Sequence, residues 1–153
     1  MANPEHLALL NQGVDALNAF VREHEDVAID LEGADLSGRD LRRVRLQSAR
    51  LARANFRGCD LRDARFNSSD LRGCDLRDTD LRGASFHRAD LTGADLRGAR
   101  IDTVGVGGQR FCISPVTFQG VRWNREHLEH MLELLNLNPD WEIRWEIRPR
   151  GRS

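Results

Sequence analysis

An apolar residue stands at every fifth position of this chain over more than half its length. The series runs Leu31, Leu36, Leu41, Leu46, Leu51, Phe56, Leu61, Phe66, Leu71, Leu76, Leu81, Phe86, Leu91, Leu96, Ile101 and Val106 without a break. An amphipathic helix repeats about every 3.6 residues and a half-buried strand every second residue. A period of five fits neither, so these residues must form a unit that is neither a helix nor an ordinary strand.

The unit can be read from what surrounds each centre. Two residues earlier sits something small or apolar, as at Ala34, Val44, Ala49, Ala54, Cys59, Ala64, Ser69, Cys74, Thr79 and Ala84. Between the two lies a polar residue, often Asp. After the centre comes a polar residue and then, in half the units, Gly. The first three positions alternate in, out, in, as a strand does. The last two carry turn chemistry, since Gly accepts a sharp backbone path. Five residues therefore make one side of a coil and its corner. Successive coils stack as parallel strands about 4.8 Å apart, and a short repeat of this kind marks a β-solenoid.

The units "ADLTG", "ADLRG" and "CDLRD" follow the pattern A-[DN]-L-x-x, and the chain resembles the pentapeptide-repeat family over about residues 29–125. The resemblance implies an all-β solenoid, a right-handed quadrilateral parallel β-helix with four sides per coil. Four sides would stack residues 20 apart, such as Phe66 on Phe86. The register is expected to slip once, by two residues at Gln109 and Arg110. It then resumes at Ile113, Phe118 and Trp123, for about five coils.

The ends of a solenoid expose core and unpaired backbone, so both are expected to carry helical caps. Residues 1–28 supply one: Asn3 is an N-cap, Pro4 takes the first helical position, and Leu7, Leu10, Val14, Leu17 and Val21 share a face. Residues 126–153 supply the other. Asn124 caps a second amphipathic helix that ends near Pro139. Trp141, Ile143, Trp145 and Ile147 then alternate with Glu and Arg as in a strand. That strand has three conceivable partners: the last coil, the C-terminal helix, or its own copy in a homodimer. Arg39 stands at an inward position near the N-terminal end. It is expected to reach out toward an acid such as Glu23, Glu25 or Asp26, or toward helix carbonyls.

Catalytic chemistry is absent from the pattern. There is no glycine-rich phosphate loop, HExxH or CxxC, so neither an enzyme nor a cofactor is expected. Cys59 and Cys74 occupy inward positions and read as small core residues; Cys112 is outward with no evident partner. His127 and His130 lie one helical turn apart near Glu126 and Glu133, but no third ligand is specified and they read as solvated helix residues, not as a metal site. His87 reads as an ordinary surface residue. Three cysteines, no apolar run long enough for a membrane span and an N-terminus unlike a signal peptide suit a reducing cytoplasm. All 23 basic residues are arginine, a bias that fits a GC-rich bacterial genome.

The surface carries the remaining information. Arg57, Arg77 and Arg97 stack with Asp75 and Asp95 nearby, and Arg42, Arg62 and Arg82 stack with Asp40, Asp60 and Asp80. These ladders read either as mutual screening or as a face for an acidic partner. A third side brings Arg45, Arg65 and Arg88 together with Gln47, Asn67, Ser68 and Ser85 and no acid. It is the first candidate for binding. The architecture favours a protein-interaction module with an unspecified protein partner. Relatives that protect DNA gyrase from quinolones or toxins, some by imitating duplex DNA, suggest a second function. Imitation of DNA needs an acidic face, whereas residues 31–101 hold 15 Arg against 11 Asp and Glu. Direct nucleic-acid binding is disfavoured by the Asp ladders and the scarcity of aromatics for stacking.

Overall fold

A computed structural model describes residues 1–101 and 121–125. From residue 30 onward the chain winds in coils whose equivalent positions are 20 residues apart. Asp30, Arg50, Asp70 and Asp90 are joined by successive parallel bridges along one side; Asp35, Asn55, Asp75 and Asp95 along the second; Asp40, Asp60, Asp80 and Arg100 along the third; and Arg45, Arg65 and Ser85 along the fourth. Each side is paired through a single bridged residue, not through a three-residue strand as the alternation suggests. The corners interrupt the extended backbone before a longer ladder can form.

The corners are hydrogen-bonded as well. The backbone N–H of Leu31 donates to the Arg50 carbonyl at 2.9 Å, and that of Arg50 donates to the Ile29 carbonyl at 2.8 Å. At the corner, Gly33 N–H donates to the Ala52 carbonyl at 2.9 Å, and Ala34 N–H closes a turn onto the Leu31 carbonyl at 3.0 Å. The same pattern recurs along the tube. It satisfies backbone groups that a buried edge could not leave unpaired. Every fifth residue from position 33 to position 98 has a positive φ, as the third residue of a type II turn requires. Seven of these are glycine; the other seven, among them Arg43, Arg53, Asp63 and Arg88, have φ between 56° and 61°.

Inside the coils the small residue and the centre of each unit point into one continuous core. Every centre from Leu31 to Leu96 is buried. Phe66 and Phe86, 20 residues apart, stack with ring centroids 5.1 Å apart, and Phe56 meets Phe66 edge-on at 5.9 Å from the opposite side. Cys59 and Cys74 lie in this core, and their thiols donate to the carbonyls of Leu36 and Leu51 at 3.0 and 2.9 Å. Burial pushes the Cys74 thiol up to about 12 and raises that of Cys59, so neither is a nucleophile near neutral pH.

Two helices, not one, precede the coils: α1 (Pro4–Gln12) and α2 (Val14–Glu23). They break at Gly13, whose φ of 124° no helix can hold. Asn3 caps α1 by accepting the Glu5 N–H at 2.8 Å. Leu10 and Leu17 enter the same core as the coils. The helices also complete the first coil's open edge. In later coils the bridged residue's N–H donates to the preceding coil; for Asp30 that acceptor is His6 Nδ1, at 2.9 Å, and Asn3 N–H in turn donates to the Asp30 carbonyl. On the fourth side the Asn18 amide stands in for a peptide group. Its Oδ1 accepts the Arg45 N–H at 2.8 Å, and its Nδ2 donates to the Arg43 carbonyl at 3.0 Å. Asn18→Ala strips a partner from both groups. It is expected to cost about 1–3 kcal/mol in chemical denaturation, whereas alanine at exposed Gln12 is expected to change stability by less than about 0.5 kcal/mol.

Arg39 leaves the tube toward the helices, but it meets Asn11 Oδ1 at 2.7 Å and no acid.

Residue 122 corrects the expected register. Arg122 bridges to Asp95 on the second side, 27 residues on, where four sides and a slip of two would place residue 117. The intervening chain is longer by a further pentad. The slip position itself, Gln109 and Arg110, lies outside the described residues, as do residues 126–153, where a helix and the Trp141–Ile147 strand are expected from the sequence. Val121 and Trp123 pack against the core, which fits the inward position expected for Trp123.

Candidate functional site

Three of the four sides are built from one local device. In the sequence Asp-Leu-Arg, the Asp is the bridged residue and the Arg begins the corner. Asp80 Oδ1 accepts both the backbone N–H of Arg82 and its Nε, the latter at 2.8 Å, while Oδ2 accepts Nη2 at 2.6 Å. Asp40–Arg42, Asp60–Arg62, Asp70–Arg72, Asp75–Arg77 and Asp95–Arg97 repeat this geometry. It is an Asx-turn closed by a bidentate ion pair. The carboxylate therefore has a structural task, capping an N–H at the corner, and it neutralises the guanidinium as it does so.

The bidentate arginines hold these carboxyls below the usual aspartate range, with Asp40 brought to about 2 beside Arg42 and Asp60, Asp70, Asp75, Asp80 and Asp95 lowered in the same way. An acid whose folded pKa is depressed stabilises the fold fully above its unfolded value and loses that contribution as pH falls through the folded value. The tube is thus expected to keep its stability down to about pH 4, the unfolded aspartate value, and to lose it progressively toward pH 2. Denaturant midpoints measured between pH 7 and pH 2 check this. A loss of stability that is complete above pH 5 contradicts it.

Of the candidate partner-facing arginines, Arg77 and Arg97 are held in this way, at 2.5 and 2.6 Å from their aspartates. Arg57 lacks the device because Asn55 stands where the Asp would be. It reaches the Asp78 carboxylate at 3.3 Å instead, and Asn55 Nδ2 donates to Asp35 Oδ1. That ladder is screened.

The fourth side is different. Its bridged positions are Arg45, Arg65 and Ser85, and the corners that follow carry Gln47, Ser48, Asn67, Ser68, His87 and Arg88. No described carboxylate forms an ion pair with Arg45, Arg65 or Arg88. Asn67 takes over the capping, its Oδ1 accepting the backbone N–H of His87 from the next coil at 3.0 Å. Gln47 Oε1 is buried with no hydrogen-bond partner among the described residues. The sequence already assigns these residues to one acid-free side. The capping role of Asn18 at its end is legible only from the fold.

A separate groove of about 600 Å³ opens where the helix break meets the third side. Asp15, Asn18, Asp40, Arg42, Arg62 and Asp63 are among its lining residues. Its charges are mixed: Asp40 caps the corner at Arg42, and Asp63 lies 4.0 Å from Arg43. Among the described residues no group of three or more His, Cys, Asp or Glu side chains is placed to hold a metal ion. No described helix is long and apolar enough to cross a membrane. His127, His130 and Cys112 lie outside the described residues.

Twenty-residue coils, four bridged sides and left-handed corners define a four-sided parallel solenoid. The family model for pentapeptide repeats, eight copies, matches residues 29–68 and 59–98. A pentapeptide repeat protein (Rfr23) from the cyanobacterium Cyanothece 51142 has the same fold, with a TM-score of 0.55 and 24% identity over 63% of this chain and 61% of that one. This chain thus spans about three fifths of that relative's length. A pentapeptide repeat protein of the Arabidopsis thaliana thylakoid lumen is 33% identical over 69% of this chain and 75% of its own, with a TM-score of 0.38. QnrB1, a plasmid-mediated fluoroquinolone resistance protein, is 18% identical over 69% of this chain and 68% of its own, with a TM-score of 0.29. No curated protein matches the chain. The chain belongs to the pentapeptide-repeat family.

Proposed function

We propose that this chain is a non-catalytic protein-interaction module of the bacterial cytoplasm. In this reading the whole tube is a right-handed quadrilateral β-helix of about five coils with helical caps at both ends, and its partner sits on the fourth side. The observation that supports it is the contrast between sides. Most arginines on the first three are paired with carboxylates, while Arg45, Arg65 and Arg88 have no described acid. Stacking like charges in adjacent coils costs stability, and the cost is offset when a partner supplies the opposite charge.

A photo-crosslinking amino acid placed singly at Ser85, Asn55, Asp90 and Arg100 samples one side each. Crosslinks to a discrete protein in the native host from position 85, and not from the other three, support the reading. Crosslinks from none of the four sink it. Purified gyrase stalled by a quinolone is expected to stay stalled when this chain is added, because the described tube is not net acidic. Recovery of supercoiling at protein levels near those of gyrase would replace this reading with topoisomerase protection.

The alternating segment Trp141, Ile143, Trp145 and Ile147 is proposed as a homodimer contact, since an apolar strand face can be self-complementary. The chain is expected to sediment as a dimer at tens of micromolar, and Trp145→Glu as a monomer. A wild-type monomer at that concentration assigns the segment to the cap.

A further inference from the structure

The fourth side is chemically one-sided in a way the rest of the tube is not. Its projecting groups are guanidiniums, hydroxyls, neutral amides and the His87 imidazole. Arg45 and Arg65 are directly bridged, so their backbones are about 4.8 Å apart along the tube. Arg88 follows one coil later, at the corner after Ser85. It holds a φ of 58°, where the corresponding residues of neighbouring corners, Gly83 and Gly93, avoid the strain. An arginine at that position gives the turn nothing that glycine would not. The three charges thus fall within about 10 Å of one another along the axis, taking one strand spacing per coil.

The neighbouring sides limit what can lie there. Asp60 and Asp80, paired with Arg62 and Arg82, border this side on one flank, and Asp70 and Asp90, both beside Arg72, border it on the other, so the flanks are close to neutral. A side is one short extended stretch and its corner, about 10 Å across at roughly 3.3 Å per residue. A nucleic-acid duplex is wider than this side, and most of its phosphates would lie over the neutral flanks, away from the three arginines. A single extended peptide fits within the row.

Resting on the reading of this chain as an interaction module, we infer that its fourth side binds an extended acidic segment of a protein partner, through Arg45, Arg65 and Arg88. The arginines supply charge-assisted donors to carboxylates, and the Ser85 and Ser68 hydroxyls donate to carbonyls or carboxylates beside them. The aspartates on either side are already paired with Arg62, Arg72 and Arg82, so the flanks add no attraction for an acidic ligand, which confines the segment to the arginine row along the tube. The attraction is long-ranged and weakens with salt, because Arg65 and Arg88 are exposed and the screening length at 0.1 M salt is only about 10 Å.

The test uses the full chain and three fluorescent probes of equal length: a decamer of glutamate, a decamer of glutamine and a single-stranded deoxythymidine decamer, each read by anisotropy at low and at physiological salt. The glutamate decamer is expected to bind at least tenfold more tightly than the glutamine decamer, and at least threefold more tightly than the oligonucleotide. Arg65→Ser with Arg88→Gly should weaken glutamate binding at least tenfold. The neutral exchange of Asp75→Asn with Arg77→Gln on the second side should change it less than twofold. Ser85→Arg extends the row and should tighten binding about threefold, a gain that misfolding cannot produce. Equal binding of the two peptides, an unaffected double variant, or tighter binding of the oligonucleotide overturns the inference. A chain that ignores glutamate yet still crosslinks a partner from position 85 overturns it while leaving the interaction-module reading intact.

Discussion

Phe66→Ala is expected to lower the unfolding free energy by about 3–5 kcal/mol, the range for deleting a fully buried aromatic ring. Phe66 is completely enclosed, stacked on Phe86 of the next coil and in edge contact with Phe56 across the tube. Its loss removes contacts both within a coil and between coils. A solenoid has only nearest-neighbour contacts along its axis, so no distant packing compensates. The neighbouring exposed Arg65→Ala should change stability by less than about 0.5 kcal/mol. Urea denaturation of the three proteins, followed by circular dichroism, checks the difference. Equal midpoints for Phe66→Ala and Arg65→Ala would contradict a continuous core through the second and third coils.

The second large effect lies at a corner. Gly83 has a φ of 73°, and a Cβ placed there would run into the Asp63 carboxylate of the coil below. Gly93 has nearly the same φ, 72°, with nothing within 4 Å of such a Cβ. Valine at either position pays the left-handed penalty of about 1–2 kcal/mol. At Gly83 it must also push Asp63 out of its rotamer, for about 0.5–1.5 kcal/mol more. Gly83→Val is therefore expected to be the more destabilising of the two by about that margin, with a total of about 1.5–3.5 kcal/mol. Denaturant midpoints of the two variants measure the gap. No gap would mean that Asp63 moves aside freely.

The corner conformations show where sequence reading stops. Glycine at positions such as 33, 58 and 73 announces a left-handed residue, and the structure has one there. Arg43, Arg53 and Arg88 adopt the same backbone, which no propensity of arginine would suggest. Stacking imposes it. The N–H of Arg43 is held by the Arg62 carbonyl of the next coil at 2.9 Å, just as Gly33 is held by Ala52. Once one corner is left-handed, the corners above and below share its path or lose those bonds.

What the sequence determined by itself was everything carried within one pentad. The inward pair, the turn and the Asp-x-Arg spacing of 40–42, 60–62 and 80–82 depend on residues two or three apart, so they can be read off the string. So can the acid-free character of the Arg45 and Arg65 side, once a coil of 20 residues is assumed. Tertiary structure alone decided the contacts that close the first coil. His6 and Asn18 occupy places that a preceding coil would fill, and Arg39 meets Asn11 in preference to the acids of the same region. These depend on where Gly13 turns one helix relative to the next, an angle with no periodic signature. The 27-residue step from Asp95 to Arg122 belongs to the same class. A repeat reports its own period, but an interruption is free to add residues until the next unit finds an open edge with matching hydrogen bonds.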